Sequence, residues 1–145
     1  MLFRSTKYLS YSRTKSGRTG GSTNYKSEGE LKALLDAGQV IEFWQAAVKE
    51  DASVTTTDGY VLDKRHANGN ATVTATASLT DGTWTVEFTR PLAGYGNAGA
   101  IKAGTKYTMG VAIHDNHAEG RQHVVSMEQS FALDAGDVKF AVPKQ

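Results

Sequence analysis

Residues 71–92, ATVTATASLTDGTWTVEFTRPL, hold the pattern that decides the fold of this chain. The first half alternates between apolar and polar side chains, which is the period of a half-buried β-strand. Asp81-Gly82 follows as a hairpin signal, because these residue types accept the positive φ of a tight turn. The side chains that share the apolar face of the return strand are Trp84, Val86 and Phe88. The stretch predicts an antiparallel hairpin with one apolar face.

Further strands are predicted on both sides of this hairpin, at residues 40–48, 54–62, 105–114, 123–133 and 138–142. Asp58-Gly59 is a turn signal and is expected to interrupt the second of them. One helix is predicted over residues 27–37, with Ser27 as N-cap and Gly38 as its stop. Short strands with glycine-rich connections and one short helix predict a mainly β fold, an antiparallel β-sandwich.

The first 26 residues carry six basic side chains and no acid before Glu28. They predict a basic N-terminal arm over residues 1–26, either solvated or a docking surface for an acidic partner. Residues 27–145 are then expected to form a single β-sandwich domain.

Composition excludes several classes of function. The chain has 145 residues, a net charge of +1 and no cysteine. A charge so close to zero argues against a nucleic-acid binder. The missing cysteines exclude disulfides, thiolate metal sites and covalent haem attachment through C-x-x-C-H.

No stretch of the sequence is apolar enough to span a bilayer, and the N-terminus lacks the pattern of a signal peptide. We therefore expect either a cytoplasmic protein or a mature or excised piece whose export signal lies elsewhere.

Residues 107–133 concentrate the metal-binding donors, with three of the four histidines and two of the three methionines. Two predicted strands flank a polar loop here, with His114 ending one and His123 beginning the other. His123, Val125 and Met127 are expected to share a face. The histidines could equally be solvated polar residues, and the methionines could be core filler. A Zn or Cu site from the three histidines, His114, His117 and His123, with Asp115 or Glu119 assisting, is a further alternative.

Short enzymatic motifs are missing, since the sequence holds no G-x-S-x-G, P-loop, H-E-x-x-H or G-x-G-x-x-G. We expect a protein that is not an enzyme.

Five stretches together resemble a known family, in the order in which they occur here. They are GRTGGSTNY (17–25), GQVIEFWQA (38–46), DGYVLDKR (58–65), DGTWTVEFTRPL (81–92) and YTMGVAIHDNHAEGRQHVVS (107–126). The chain resembles the haem-binding domain of the ethylbenzene dehydrogenase γ-subunit type, which also occurs fused to NapC/NirT-type multihaem cytochromes. The resemblance implies a β-sandwich related to DOMON and carbohydrate-binding modules, holding one non-covalent b-type haem.

The resemblance also implies which residues bind the haem. The family's axial ligands are a lysine and a methionine; the lysine position is His123 here, and imidazole is a standard haem ligand. The methionine position falls in ELKALLDAG (30–38), where Leu34 and Leu35 stand instead. The second ligand is then His114, Met127 or none.

Other residues are expected to surround the haem. Arg121 and Arg90 are candidates for its propionates, although both could be surface ion pairs. Expected walls of the pocket, each of which could equally be plain core, are Trp44, Trp84, Phe88, Ile113 and Phe131.

The predicted function is electron transfer within a respiratory cytochrome of the periplasm, with a multihaem c-type cytochrome or another redox protein as partner. The alternative is a haem-free sandwich that binds a carbohydrate-like ligand on Trp44, Trp84 and tyrosines. A mononuclear metal enzyme is a third hypothesis.

Overall fold

A computed structural model of the chain describes residues 8–15, 23–114, 123–134, 138 and 140–142. These residues fall into two compact units, one up to Ala100 and the other from Ile101 onward. The predicted fold class is confirmed, because the described residues are mainly β, with antiparallel sheets and one short α-helix, consistent with a β-sandwich-like fold. The boundary predicted at residue 26 stays a prediction.

The first unit contains the helix and five strands. In chain order they are α1 (Glu28–Asp36), β1 (Ile41–Val48), β2 (Val54–Val61), β3 (Arg65–Ala67), β4 (Thr74–Thr80) and β5 (Thr83–Thr89). Strands β1, β2 and β3 form an antiparallel sheet in that order, and β4 pairs with β5.

The helix begins as predicted. Ser27 and Glu30 form a capping box, in which each side chain binds the other residue's backbone N–H. The helix ends at Asp36, and Gly38 takes φ +68°, the left-handed conformation that glycine adopts without strain.

The hairpin of residues 71–92 is also confirmed. Asp81 and Gly82 both have positive φ, as a two-residue turn of type I′ requires. Residues opposite each other across the ladder are Leu79 and Trp84, Ala77 and Val86, and Ala75 and Phe88. One face of this hairpin is therefore apolar, and the other carries threonine, serine and glutamate.

The turn predicted at Asp58-Gly59 is wrong, because both residues lie inside β2. Asp58 is fully buried, and its carboxylate accepts hydrogen bonds from Asn68 Nδ2 and from the backbone N–H groups of Thr72 and Val73, at 2.6, 2.7 and 2.8 Å. A Cβ on Gly59 would lie 2.0 Å from the carbonyl oxygen of His66 on β3. The dipeptide serves close strand packing instead of a turn.

The N-terminal arm is not wholly solvated. Arg13 is buried between the rings of Tyr8 and Tyr25, with its guanidinium 4.2 and 4.0 Å from their centroids. It donates to the carbonyl oxygen of Asp63 at 2.6 Å, beyond the end of β2. Arg13 is therefore not solvated, whereas Lys15 is exposed. Arg4, Lys7 and Arg18 lie outside the described residues, and the basic arm as a whole stays a prediction.

Among its described residues, the second unit contains five short strands. They are β6 (Tyr107–Met109), β7 (Ala112–His114), β8 (His123–Val125), β9 (Gln129–Leu133) and β10 (Phe140–Val142). Strand β9 lies between β6, which is antiparallel to it, and β10, which is parallel; β7 pairs with β8. The strands predicted at 105–114 and 123–133 are therefore each divided in two.

Candidate functional site

Strands β7 and β8 form a two-stranded antiparallel ribbon that carries two of the predicted ligands. We call it the histidine ribbon. Its three residue pairs are Ala112 with Val125, Ile113 with Val124, and His114 with His123. The backbone register thus sets the two histidine positions directly opposite one another.

The histidine ribbon also carries exposed apolar side chains. Ile113 is 67% exposed and Val124, its partner across the ribbon, is 75% exposed. Exposed aliphatic residues side by side are typical of a surface that meets an apolar ligand or partner.

One thioether donor follows the histidine ribbon. Met127 is 69% exposed, so it is not the core filler that its composition alone would suggest. The face that His123, Val125 and Met127 were expected to share does not extend to Met127, because β8 ends at Val125. Met127 stays a candidate ligand.

The loop between the two histidine strands lies outside the described residues. Arg121, predicted to meet a haem propionate, lies there, as do Asp115, His117 and Glu119 of the alternative Zn or Cu site. Within the residues that the structure describes, no group of three or more histidine, aspartate or glutamate side chains could hold a metal ion.

Arg90 belongs to a polar cluster in the first unit. Its guanidinium donates to both carboxylate oxygens of Glu42, at 2.8 and 2.9 Å, and its side chain is only 4% exposed. Tyr95 donates to the same carboxylate at 2.8 Å, and the indole N–H of Trp44 also donates to it. Arg90 therefore forms an ion pair, as one alternative predicted, but the pair is buried and not on the surface.

The pKa values of this cluster follow from its contacts. Burial alone would raise the pKa of Glu42, but the hydrogen bonds from Arg90, Trp44 and Tyr95 outweigh it and lower the pKa below its ordinary value. Burial and the hydrogen bond to Glu42 raise the pKa of Tyr95. The cluster is therefore a charged carboxylate, a charged guanidinium and a neutral phenol at neutral pH.

Trp84 lies on the apolar face of the hairpin β4–β5 and is partly exposed there, together with Val86 and Phe88. The ring of Phe88 lies 6.3 Å from that of Trp44 on β1, also partly exposed. The first unit therefore presents aromatic surface that a flat ligand could cover.

A groove of about 250 Å³ was missed by the sequence analysis. It lies between α1 and the connection from β2 to β3, and His66 and Asp63 line it. His66 Nε2 lies 2.6 Å from Asp63 Oδ1, and its ring stacks on Tyr60 at 4.6 Å. The only sequence signal was the spacing of Asp63 and His66 by three residues. The groove is smaller than the pockets that drug-sized ligands occupy, so it does not suit a whole haem.

Helix α1 occupies the region where the family's methionine was expected. Leu34 and Leu35 are both half-buried, and Leu35 lines the groove. No helix in the described ranges has the length and apolar character needed to cross a membrane.

The donors and exposed apolar residues define a candidate site for a haem-like group. Comparison with known proteins identifies the family. The family model described as ethylbenzene dehydrogenase matches residues 5–126. The chain therefore belongs to this family, that of the ethylbenzene dehydrogenase γ-subunit-like haem-binding domain, and the resemblance found in the sequence is confirmed. Membership of this family supports a haem-binding electron-transfer domain.

A curated relative is similar over nearly the whole chain. Cytochrome c-552 of Stutzerimonas stutzeri is 36% identical over 133 residues, which are 89% of this chain and 43% of that protein. The chain thus spans less than half the length of this relative. No solved structure matches this chain significantly.

Proposed function

We propose that the chain is an electron-transfer domain that binds one non-covalent b-type haem through the histidine ribbon. The observation that carries the proposal is the register of this ribbon, which brings two histidine positions together beside exposed apolar residues in a member of a haem-binding family. Imidazole and thioether are ordinary haem ligands, so His123, His114 and Met127 suit the iron chemically.

Composition supports the b-type assignment. Thioether attachment of a c-type haem needs cysteines, and these 145 residues contain none. We therefore propose that these residues would hold the haem by ligation and packing alone.

The register also limits the ligand set. Opposite side chains of an antiparallel pair start about 5 Å apart on one face. We propose that one of these two histidine positions would hold the iron, with the other beside it. His123 is assigned this role, with His114 as its neighbour and Met127 as a further candidate ligand.

The remaining roles are proposed from residue chemistry. Arg121 would bind a propionate by charge-assisted hydrogen bonds. The role of Trp84 as a wall of the pocket stays a prediction. Arg90 is not assigned to a propionate, because its ion pair with Glu42 already uses its guanidinium.

When bound, the haem supplies a one-electron couple, and the chain tunes it through ligand identity and burial. The chain itself would perform no bond chemistry. We propose a respiratory role in the periplasm, with a multihaem c-type cytochrome or another redox protein as electron partner.

Haem titration of the purified chain tests this proposal, with visible spectra in both oxidation states. We expect a saturable Soret band that His123→Ala abolishes, and a shifted spectrum in Met127→Ala. His66→Ala is the matched control, because His66 is paired with Asp63 and belongs to the groove. Absence of saturable binding to the unaltered chain would refute the proposal.

The partly exposed rings of Trp44 and Trp84 favour a second candidate, a haem-free module that binds a carbohydrate-like ligand. If the chain takes up no haem but binds a sugar, and Trp84→Ala abolishes this binding, the second function is established instead.

A further inference from the structure

The register changes by one residue between the two antiparallel ladders that residues 107–114 form with residues 123–133. We call the two ladders the first and second half of one strand pair. In the first half, β6 pairs with β9, and Met109 lies opposite Gln129. In the second half, β7 pairs with β8, and Ala112 lies opposite Val125. Between these two pairs, the first strand has two residues, 110 and 111, and the returning strand has three, 126–128. The returning strand therefore contains one extra residue, a β-bulge.

This bulge decides which residue lies opposite His114. If the register of β6 and β9 continued without it, Ile113 would face Val125 and His114 would face Val124. Position 123 would then belong to the other face of the ribbon, because a shift of one residue exchanges the faces of a strand. The bulge is what brings positions 114 and 123 together.

Ser126 closes the ribbon at the bulge with two hydrogen bonds to one residue. Its N–H donates to the carbonyl oxygen of Val111 at 2.8 Å, as in an ordinary ladder. Its hydroxyl accepts from the N–H of Val111 at 2.9 Å, where a regular ladder would offer a backbone carbonyl. The hydroxyl thus keeps the Val111 N–H bonded while the chain departs from the ladder.

Among the described residues, the histidine ribbon is a ladder of three residue pairs, and the two bonds between Ser126 and Val111 adjoin its first pair. We infer that Ser126 is a positioning residue, whose hydroxyl locks the bulge and thereby places His123 opposite His114.

Disulfide formation measures the register directly, because the chain has no cysteine of its own. The pair Ala112→Cys with Val125→Cys reports the observed register. The pair Ile113→Cys with Val125→Cys reports the bulge-free register. Disulfides need Cα atoms about 4.4–6.8 Å apart, so each pair crosslinks well only in its own register. Equilibration of the haem-free chain with a glutathione buffer gives the ratio of the two crosslinking constants.

Ser126→Ala should lower this ratio roughly three- to tenfold, the factor that one hydrogen bond of ordinary net strength allows. Ser126→Thr keeps the hydroxyl and should retain the ratio. Thr108→Ala, which removes an exposed hydroxyl from neighbouring β6, should also leave it unchanged. An unchanged ratio in Ser126→Ala would overturn the inference. So would a fall of both crosslinks together, which would mean that the hydroxyl holds the ribbon without selecting its register.

The consequence for haem rests on the proposed function. In the cysteine-free chain, Ser126→Ala should weaken haem binding about tenfold, as loss of a residue that orients a ligand commonly does, and Ser126→Thr should restore both affinity and spectrum. If the unaltered chain binds no haem, the proposed function fails, while the crosslinking ratio still decides the role of Ser126.

Discussion

Removal of the Asp58 carboxylate should strongly destabilise the first unit. Asp58→Ala leaves three donors without their acceptor. Val73 is buried, so its N–H has no access to water, and such an unsatisfied donor costs about 1–3 kcal/mol. The Asn68 amide and the Thr72 N–H lie nearer the surface and lose bonds to a charged group, worth about 1.5–3 kcal/mol each before water replaces them. With partial replacement, we expect a total near 4 kcal/mol.

Urea unfolding followed by tryptophan fluorescence measures this cost, because Trp44 and Trp84 both lie in the first unit. Asp51→Ala is the matched control, since Asp51 caps an exposed turn by accepting from the Ser53 N–H and should change the midpoint little. A loss below about 1 kcal/mol in Asp58→Ala would refute the argument that these three bonds to the buried carboxylate stabilise the unit.

The same carboxylate gives stability a pH dependence of known sign. Burial would raise the pKa of Asp58, but the bonds from Val73, Asn68 and Thr72 outweigh it, so its pKa is lowered. The stabilisation is therefore complete above the unfolded value of about 3.9 and is lost as pH falls through the lower folded value. Asp58→Asn should lack this part of the acid transition.

The structure predicts the effects of two other substitutions in the first unit. Glu42→Gln leaves the buried Arg90 without its counter-charge and should cost about 3–5 kcal/mol in urea unfolding, whereas an effect below 1 kcal/mol would show that water replaces the pair. Gly59→Ala should separate β2 from β3, because the added Cβ would lie 2.0 Å from the carbonyl oxygen of His66. Loss of protection against amide hydrogen exchange in β3 measures this separation. The control is Gly29→Ala in α1, where a Cβ would meet nothing within 4 Å and stability should stay the same or rise.

Local signals allowed part of the fold to be predicted. The helix and the hairpin of residues 71–92 were predicted correctly, because capping and two-residue turns depend on neighbours in sequence. The turn predicted at Asp58-Gly59 was wrong for the opposite reason. The preference of these residue types for a turn is outweighed by hydrogen bonds to Asp58 from residues ten or more positions further along the chain. The same holds for Glu42, whose partners Arg90 and Tyr95 lie about fifty residues along the chain.

The candidate site was predictable only as a set of residue types. Alternation along residues 105–114 and 123–133 identified the strands, but it could not give their mutual register, because a bulge has no local sequence signature here. The second ligand therefore stays open between His114, Met127 and none, and its assignment is a proposal.

Ile113 and Val124 lie opposite each other in the observed register, and both are mostly exposed. Burial of such a side chain stabilises a protein by about 1.5–3 kcal/mol, so the exposed pair forgoes that stabilisation. Proteins depart from such local rules chiefly at functional sites, where another requirement outweighs packing. We infer that the requirement here is the proposed haem, whose apolar edges would cover the exposed pair while His123 would bind its iron.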